Sequence, residues 1–182
     1  MTTASPDHRP DEATLELLRS AFEPEWREPP LGYEAVEAWE AEHGVALPEP
    51  YRTVVAEICS GYGLGPPEDG GLQRLGCLPE GWPDLGPRQP GALFPLVEGW
   101  PWEDDDSVDP DEDERIDAVH TQGSIVLGSE DGQSFWLLVT TGPRRGEVWM
   151  VADVGAGPVP GDEAWGFLEW VQRWHVGNGW WD

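Results

Sequence analysis

The chain has 182 residues, with Asp+Glu 36 against Lys+Arg 10, a formal net charge of -26 at pH 7 and a sequence pI near 4.1. That length suits one ordinary domain with a real core and argues against two. The charge argues against direct binding to nucleic acid or anionic membrane, which need a basic footprint, and favours a cationic partner.

Residues 1–10 read as a disordered lead. Leu15, Leu18 and Phe22 fall at helical spacing, which predicts a short helix from Asp11 to Phe22. Pro24 and Pro29-Pro30 then break the chain. Residues 1–24 therefore read as an N-terminal extension with a short helix, and 25–182 as the domain proper. A second helix is predicted from Tyr33 to His43, with Val36, Trp39 and His43 on one stripe and Gly44 as its left-handed stop. His43 then sits where a helix dipole favours it. Pro48 or Pro50 suits the first turn of a third helix, whose buried face is Tyr51, Val54, Val55 and Ile58 and whose end is Gly61 or Gly63.

From Gly63 to Gly99, Gly and Pro allow only short strands, near Leu72–Leu75 and Leu93–Val97. The segment from about 100 to 118 has no apolar periodicity and reads as an acidic loop. After it come Ser124–Leu127, Phe135–Val139 and Val148–Val151, three strands joined at Asp131-Gly132 and at 142–146. The middle strand is apolar on both faces, which places it centrally and under cover. A last helix is predicted from Asp162 or Glu163 to Trp174, with Phe167, Trp170, Val171 and Trp174 as its buried face. The expected fold is α+β: a single domain, an antiparallel meander packed by N-terminal helices and a C-terminal helix.

No apolar stretch approaches transmembrane length, and Met1–Pro10 has no signal-peptide core. Cys59 and Cys77 therefore read as reduced thiols of a cytoplasmic protein, although one disulfide is formally open to them. The four histidines, His8, His43, His120 and His175, are not at metal-ligand spacing. Gly61-x-Gly63-x-Gly65 follows a helix, so it reads as a helix stop rather than a phosphate loop. No nucleophile has a base beside it in sequence. With this much acid, paired carboxylates carry no signal for glycoside hydrolysis.

The acidic segment holds nine carboxylates between Glu103 and Glu114 behind two tryptophans. Acidic runs are usually solvated loops. Asp109-x-Asp111-x-Asp113 lacks the glycine a calcium loop needs, so no dedicated metal site is expected, only weak cation binding. As a binding surface the run would meet Arg/Lys clusters, such as those of nucleases, and speed association. Trp100 and Trp102 read equally as apolar anchors for a partner and as a core edge under the sheet. The trailing Trp180-Trp181 could form a second patch.

Val36-x-x-Trp39-Glu40, Gly44-Val45-Ala46-Leu47-Pro48-x-x-Tyr51-Arg52, Cys59-Ser60-Gly61-Tyr62-Gly63, Gly123–Gly128, Gly146-Glu147-Val148-Trp149 and the Phe167, Leu168 and Trp170 aromatics together resemble the SUKH superfamily. That superfamily includes Smi/Knr-like cell-wall assembly regulators and bacterial immunity proteins. The resemblance covers roughly 32–174. The usual Asn-Gly-Gly ending is degraded here, and the acidic segment is longer than the usual linker. The resemblance implies an α+β domain with no catalytic residues and no cofactor. It implies a noncatalytic protein-binding module, an intracellular immunity protein that neutralises a cognate toxin domain, often a nuclease. Partner binding is then expected from Trp100, Trp102, Glu103, Asp104, Asp105, Asp106, Asp109, Asp111, Glu112, Asp113 and Glu114. The alternatives are a regulatory protein of the same fold without a toxin partner, and a weak divalent-cation binder acting through the acidic loop.

Overall fold

Asp11 starts the first helix with its own side chain, whose carboxylate accepts the Thr14 backbone N–H at 2.8 Å. The computed structural model describes residues 5–68, 70–102, 110–159 and 164–175. Helix α1 (Glu12–Ala21) buries Leu15 and Leu18, and Phe22 follows fully covered. Leu18 and Phe22 belong to the main core cluster, so α1 is a core element and not an appendage. The lead before it is also held. Glu49 N–H donates to Pro6 O at 2.9 Å, Arg145 reaches Pro6 O and Asp7, and Arg9 pairs with Glu57 and Tyr33.

Helix α2 (Tyr33–His43) ends at Gly44 with φ 64, a left-handed stop that favours glycine. The Leu-Pro turn beyond it is braced by Glu40. Its carboxylate accepts the Leu47 N–H at 2.7 Å and the Arg52 fork at 3.0 and 2.9 Å. Glu49 then accepts the Thr53 N–H and hydroxyl at 3.1 and 2.7 Å. Helix α3 (Tyr51–Thr53) continues as a wide π turn over Val54–Ile58, closed by Cys59 N–H on Val54 O. The element therefore stops at Cys59, in extended backbone, before either glycine expected to end it.

The strands expected at 72–75 and 93–97 do not form. Leu72 makes an isolated bridge with Tyr62, and Phe94 gives its N–H to the Thr141 hydroxyl at 2.9 Å.

The sheet comprises β1 (Trp100–Pro101), β2 (Ser124–Ser129), β3 (Phe135–Val139), β4 (Val148–Ala152) and β5 (Gly155–Pro158). Every pairing is antiparallel and the order is β1-β5-β4-β3-β2. Side chains alternate between the two faces, and each face has its own core. Ile125, Leu127, Trp136, Leu138 and Val148 face α1, α2, α3 and α5 (Phe167–His175), where Trp136 meets Trp170 with ring centroids 5.6 Å apart. Val126, Phe135, Leu137, Val139, Trp149 and Val151 face a second layer built from Phe94, Leu96, Trp102 and helix α4 (Pro110–Thr121). The fold is thus a single α+β domain with a sheet covered on both sides.

Beside β2 the chain passes close. Gln73 N–H donates to Leu127 O at 2.8 Å, and a bulge lies between Val126 and Gly128. A Cβ on Gly128 would stand 2.5 Å from Pro67 Cγ and 2.7 Å from Gly71 O, so only glycine fits. The last helix, expected from Asp162 or Glu163, begins only at Phe167, because Trp165 gives its N–H to Val159 O at 2.9 Å and Gly166 bridges Glu147. Asp162, Glu163, Trp180 and Trp181 themselves lie outside the described residues. No helix among the described residues is long and apolar enough to cross a membrane.

Candidate functional site

The acidic segment was expected as a loop over 100–118. From residue 110 onward it is helix α4, and this is the main correction to the sequence reading. Proline at the first helical position lacks only an N–H the helix does not use. Asp111, Glu112 and Asp113 follow in the first turn, where carboxylates complement the positive end of the helix dipole. Ile116, Val119 and His120 then fall at i, i+3 and i+4, and they form the face against the sheet. Asp111, Glu114 and Asp117 line the opposite face, Asp113 and Arg115 are exposed on its flanks, and Glu112 is half-buried.

Five contacts hold this helix to its surroundings. The Arg115 guanidinium carbon lies 4.3 Å from the Trp100 ring centroid, a cation–π contact that ties α4 to β1. The His120 ring lies between Trp82 and Trp102, with centroids 5.7 and 6.1 Å away, and its Nδ1 donates to Ile116 O at 2.9 Å. Burial pushes the His120 pKa below its ordinary value, so the ring is held neutral. The His120 carbonyl accepts Arg88 Nε at 3.1 Å, and the Thr121 carbonyl accepts the Gln89 N–H at 2.6 Å.

Trp102 is 6% exposed. Its indole N–H donates to Asp153 O at 2.8 Å and its backbone N–H to Val154 O at 3.0 Å. Trp100 is half-buried, pairs with Ala156 in the sheet and packs edge-on against Trp102 with centroids 5.1 Å apart. The two tryptophans therefore form a core edge, and Trp102 is not an exposed anchor for a partner. Glu103, Asp104, Asp105, Asp106 and Asp109 lie outside the described residues. Of the expected binding residues, Asp111 and Glu114 share an outward face with Asp117 at i, i+3 and i+6, while Asp113 is exposed on the flank of the His120 side. Val154, whose carbonyl accepts the Trp102 N–H, is 62% exposed in the turn between β4 and β5.

Sequence reasoning missed Trp82, Arg88 and His120, which make the floor under the acidic helix. The signal for His120 was present as the Ile116-x-x-Val119-His120 spacing, but it spans one turn and a half beside a dense run of acid. Cys59 is buried with its thiol pushed up to about 12 by burial, and both cysteines are unbridged. His43 donates from Nδ1 to Trp39 O at 2.9 Å in the last turn of α2 and stacks on Trp39. Among the described residues no group of His, Cys, Asp and Glu side chains converges on a metal. No family model, no curated protein and no solved structure matches the chain.

Proposed function

We propose that the chain is a noncatalytic, SUKH-like binding module, a cytoplasmic immunity protein that neutralises a basic, nuclease-like toxin domain. The observation that supports this reading most is the outward face of α4. Asp111, Asp113, Glu114 and Asp117 stand on a helix whose inner face is locked onto the sheet by Val119 and His120. Carboxylates held on a rigid element present a fixed negative field, and their side chains give up less freedom on binding than those of a mobile loop. A net charge of -26 extends that field beyond the contact zone and raises the encounter rate with a cationic surface. Two helices joined by a Leu-Pro turn, a meander and a closing aromatic helix add support from the fold side.

Co-expression with the toxin-domain product of the neighbouring gene tests the reading. The complex should co-purify and the cells should be protected. A variant carrying Asp111→Asn, Asp113→Asn, Glu114→Gln and Asp117→Asn should associate roughly tenfold more slowly at low salt and dissociate at nearly the same rate. The difference should shrink at 0.5 M salt, where the screening length falls to about 4 Å. A variant that associates as fast as the parent at low salt would move the interface off α4. No protection by the parent chain would remove the immunity reading itself.

A further inference from the structure

On the β2 side of the sheet, a cavity of about 250 Å³ opens between the end of α2 and the chain around Gly76 and Pro87. One wall is the stacked pair Trp39 and His43, with centroids 4.1 Å apart and planes at 23°. Leu78 and Ile125 contribute apolar surface, and Arg88 supplies the charge. Not one lining residue is Asp or Glu, in a chain with 36 of them. Two other clefts are different, being lined by Glu49, Glu147 and Glu169 and by Glu28.

Arg88 is the anomaly. Burial pulls its guanidinium down to about 10, so the cation is desolvated. Among the described residues it forms no ion pair; its bonds run to His120 O at 3.1 Å, Ser124 O at 2.7 Å and the Ser124 hydroxyl at 2.8 Å. Those bonds leave one N–H on each terminal nitrogen. Arg88 is half-buried by solvent exposure; a cation drawn this far out of water is ordinarily matched by an anion, and a planar guanidinium matches a carboxylate best. Seven of the ten arginines reach a carboxylate or stack over the Trp100 ring on the surface. Arg88 lies over the Trp82 ring, 5.4 Å from its centroid, and lines the cavity walled by Trp39 with no carboxylate among its described partners.

We propose that this cavity binds a small aromatic carboxylate, with the ring against Trp39 and the carboxylate on Arg88. The volume is under the roughly 300–1,000 Å³ of ordinary drug-sized sites, so the ligand has one or two rings. The site shares Arg88 with the floor under α4, through its bond to His120 O, but none of its lining residues is an outward carboxylate of that helix. It can therefore stand or fall without the toxin-binding reading.

The test is isothermal titration of the full chain with 2-naphthoate, the neutral 2-naphthamide and the cationic 2-naphthylmethylamine. The acid should bind with a Kd of about 1 mM or tighter, which is what a ligand of this size can reach. The amide should be at least tenfold weaker and the amine weaker still, roughly the effect of losing one charge-assisted pair. Trp39→Ala should abolish acid binding, with far-UV circular dichroism unchanged at a temperature below its lowered thermal midpoint, and Trp39→Phe, which keeps a ring against the core, should weaken the acid less than Ala does. Arg88→Lys should weaken the acid and leave the amide unchanged. Equal affinity for acid and amide, preference for the amine, or no heat with the acid at about 10 mM would each overturn the proposal.

Discussion

Truncating Trp102 to alanine separates a core role from a surface role for the tryptophan that precedes the acidic run. The side chain is 6% exposed and touches Trp100 and His120. A buried indole removes roughly 200 Å² from water, which at about 25 cal/mol per Å² sets an upper bound near 5 kcal/mol. Large-to-small substitutions of this kind cost about 3–5 kcal/mol once partial collapse of the cavity is included. Trp102→Phe keeps most of the apolar surface and loses the N–H bond to Asp153 O, which is about 1–2 kcal/mol. Urea unfolding followed by far-UV circular dichroism gives both values from the shift in midpoint at a common slope. An alanine variant within about 0.5 kcal/mol of the parent would refute the core placement, since exposed positions fall in that range.

Two more perturbations have defined signs. His120 has a folded-state pKa below its unfolded value, so its contribution is fully present above about 6.5 and is lost as pH falls below that. Thermal midpoints measured from pH 7.5 to 5.5 should fall in the parent and fall less in His120→Gln; parallel curves would show that the ring does not titrate against the fold. Gly128→Ala forces a methyl against Pro67 Cγ and Gly71 O and should cost roughly 1–3 kcal/mol, read by the same urea midpoint, with no loss contradicting the close approach.

The elements legible in the sequence were those with an unambiguous period or stop. Phe135–Val139 is apolar at every position, and it lies inside the sheet because both faces need cover. Tyr33–His43 ends at Gly44, where a left-handed residue is required. Helix α4 was illegible for a physical reason. Its buried contribution comes from Ile116, Val119 and His120, and tertiary contact with the sheet supplies what an acid-rich helix lacks by itself. Strand β5, with the sequence Gly155-Ala156-Gly157-Pro158, carries almost no β propensity and is set by its partners β4 and β1. For the site, the acids themselves could be read off, but not which of them share a face. Arg88 could not be read at all, because its meaning lies in tertiary partners: among the described residues it meets two carbonyls, a hydroxyl and the Trp82 ring, and no carboxylate.

The way the sheet ends bears on how the chain behaves when its charge is gone. At neutral pH, repulsion from a net charge of -26 keeps copies apart. Near pH 4.1 that repulsion vanishes, and unpaired strand edges become the usual route to aggregation. Here one border strand has two residues, one of them Pro101, and the other is kinked at Gly128 with its Ser124 and Leu127 carbonyls already engaged by Arg88 and Gln73. Among the described residues neither border offers a long template for another strand, so charge repulsion and protection of the sheet edges are separate features of the molecule.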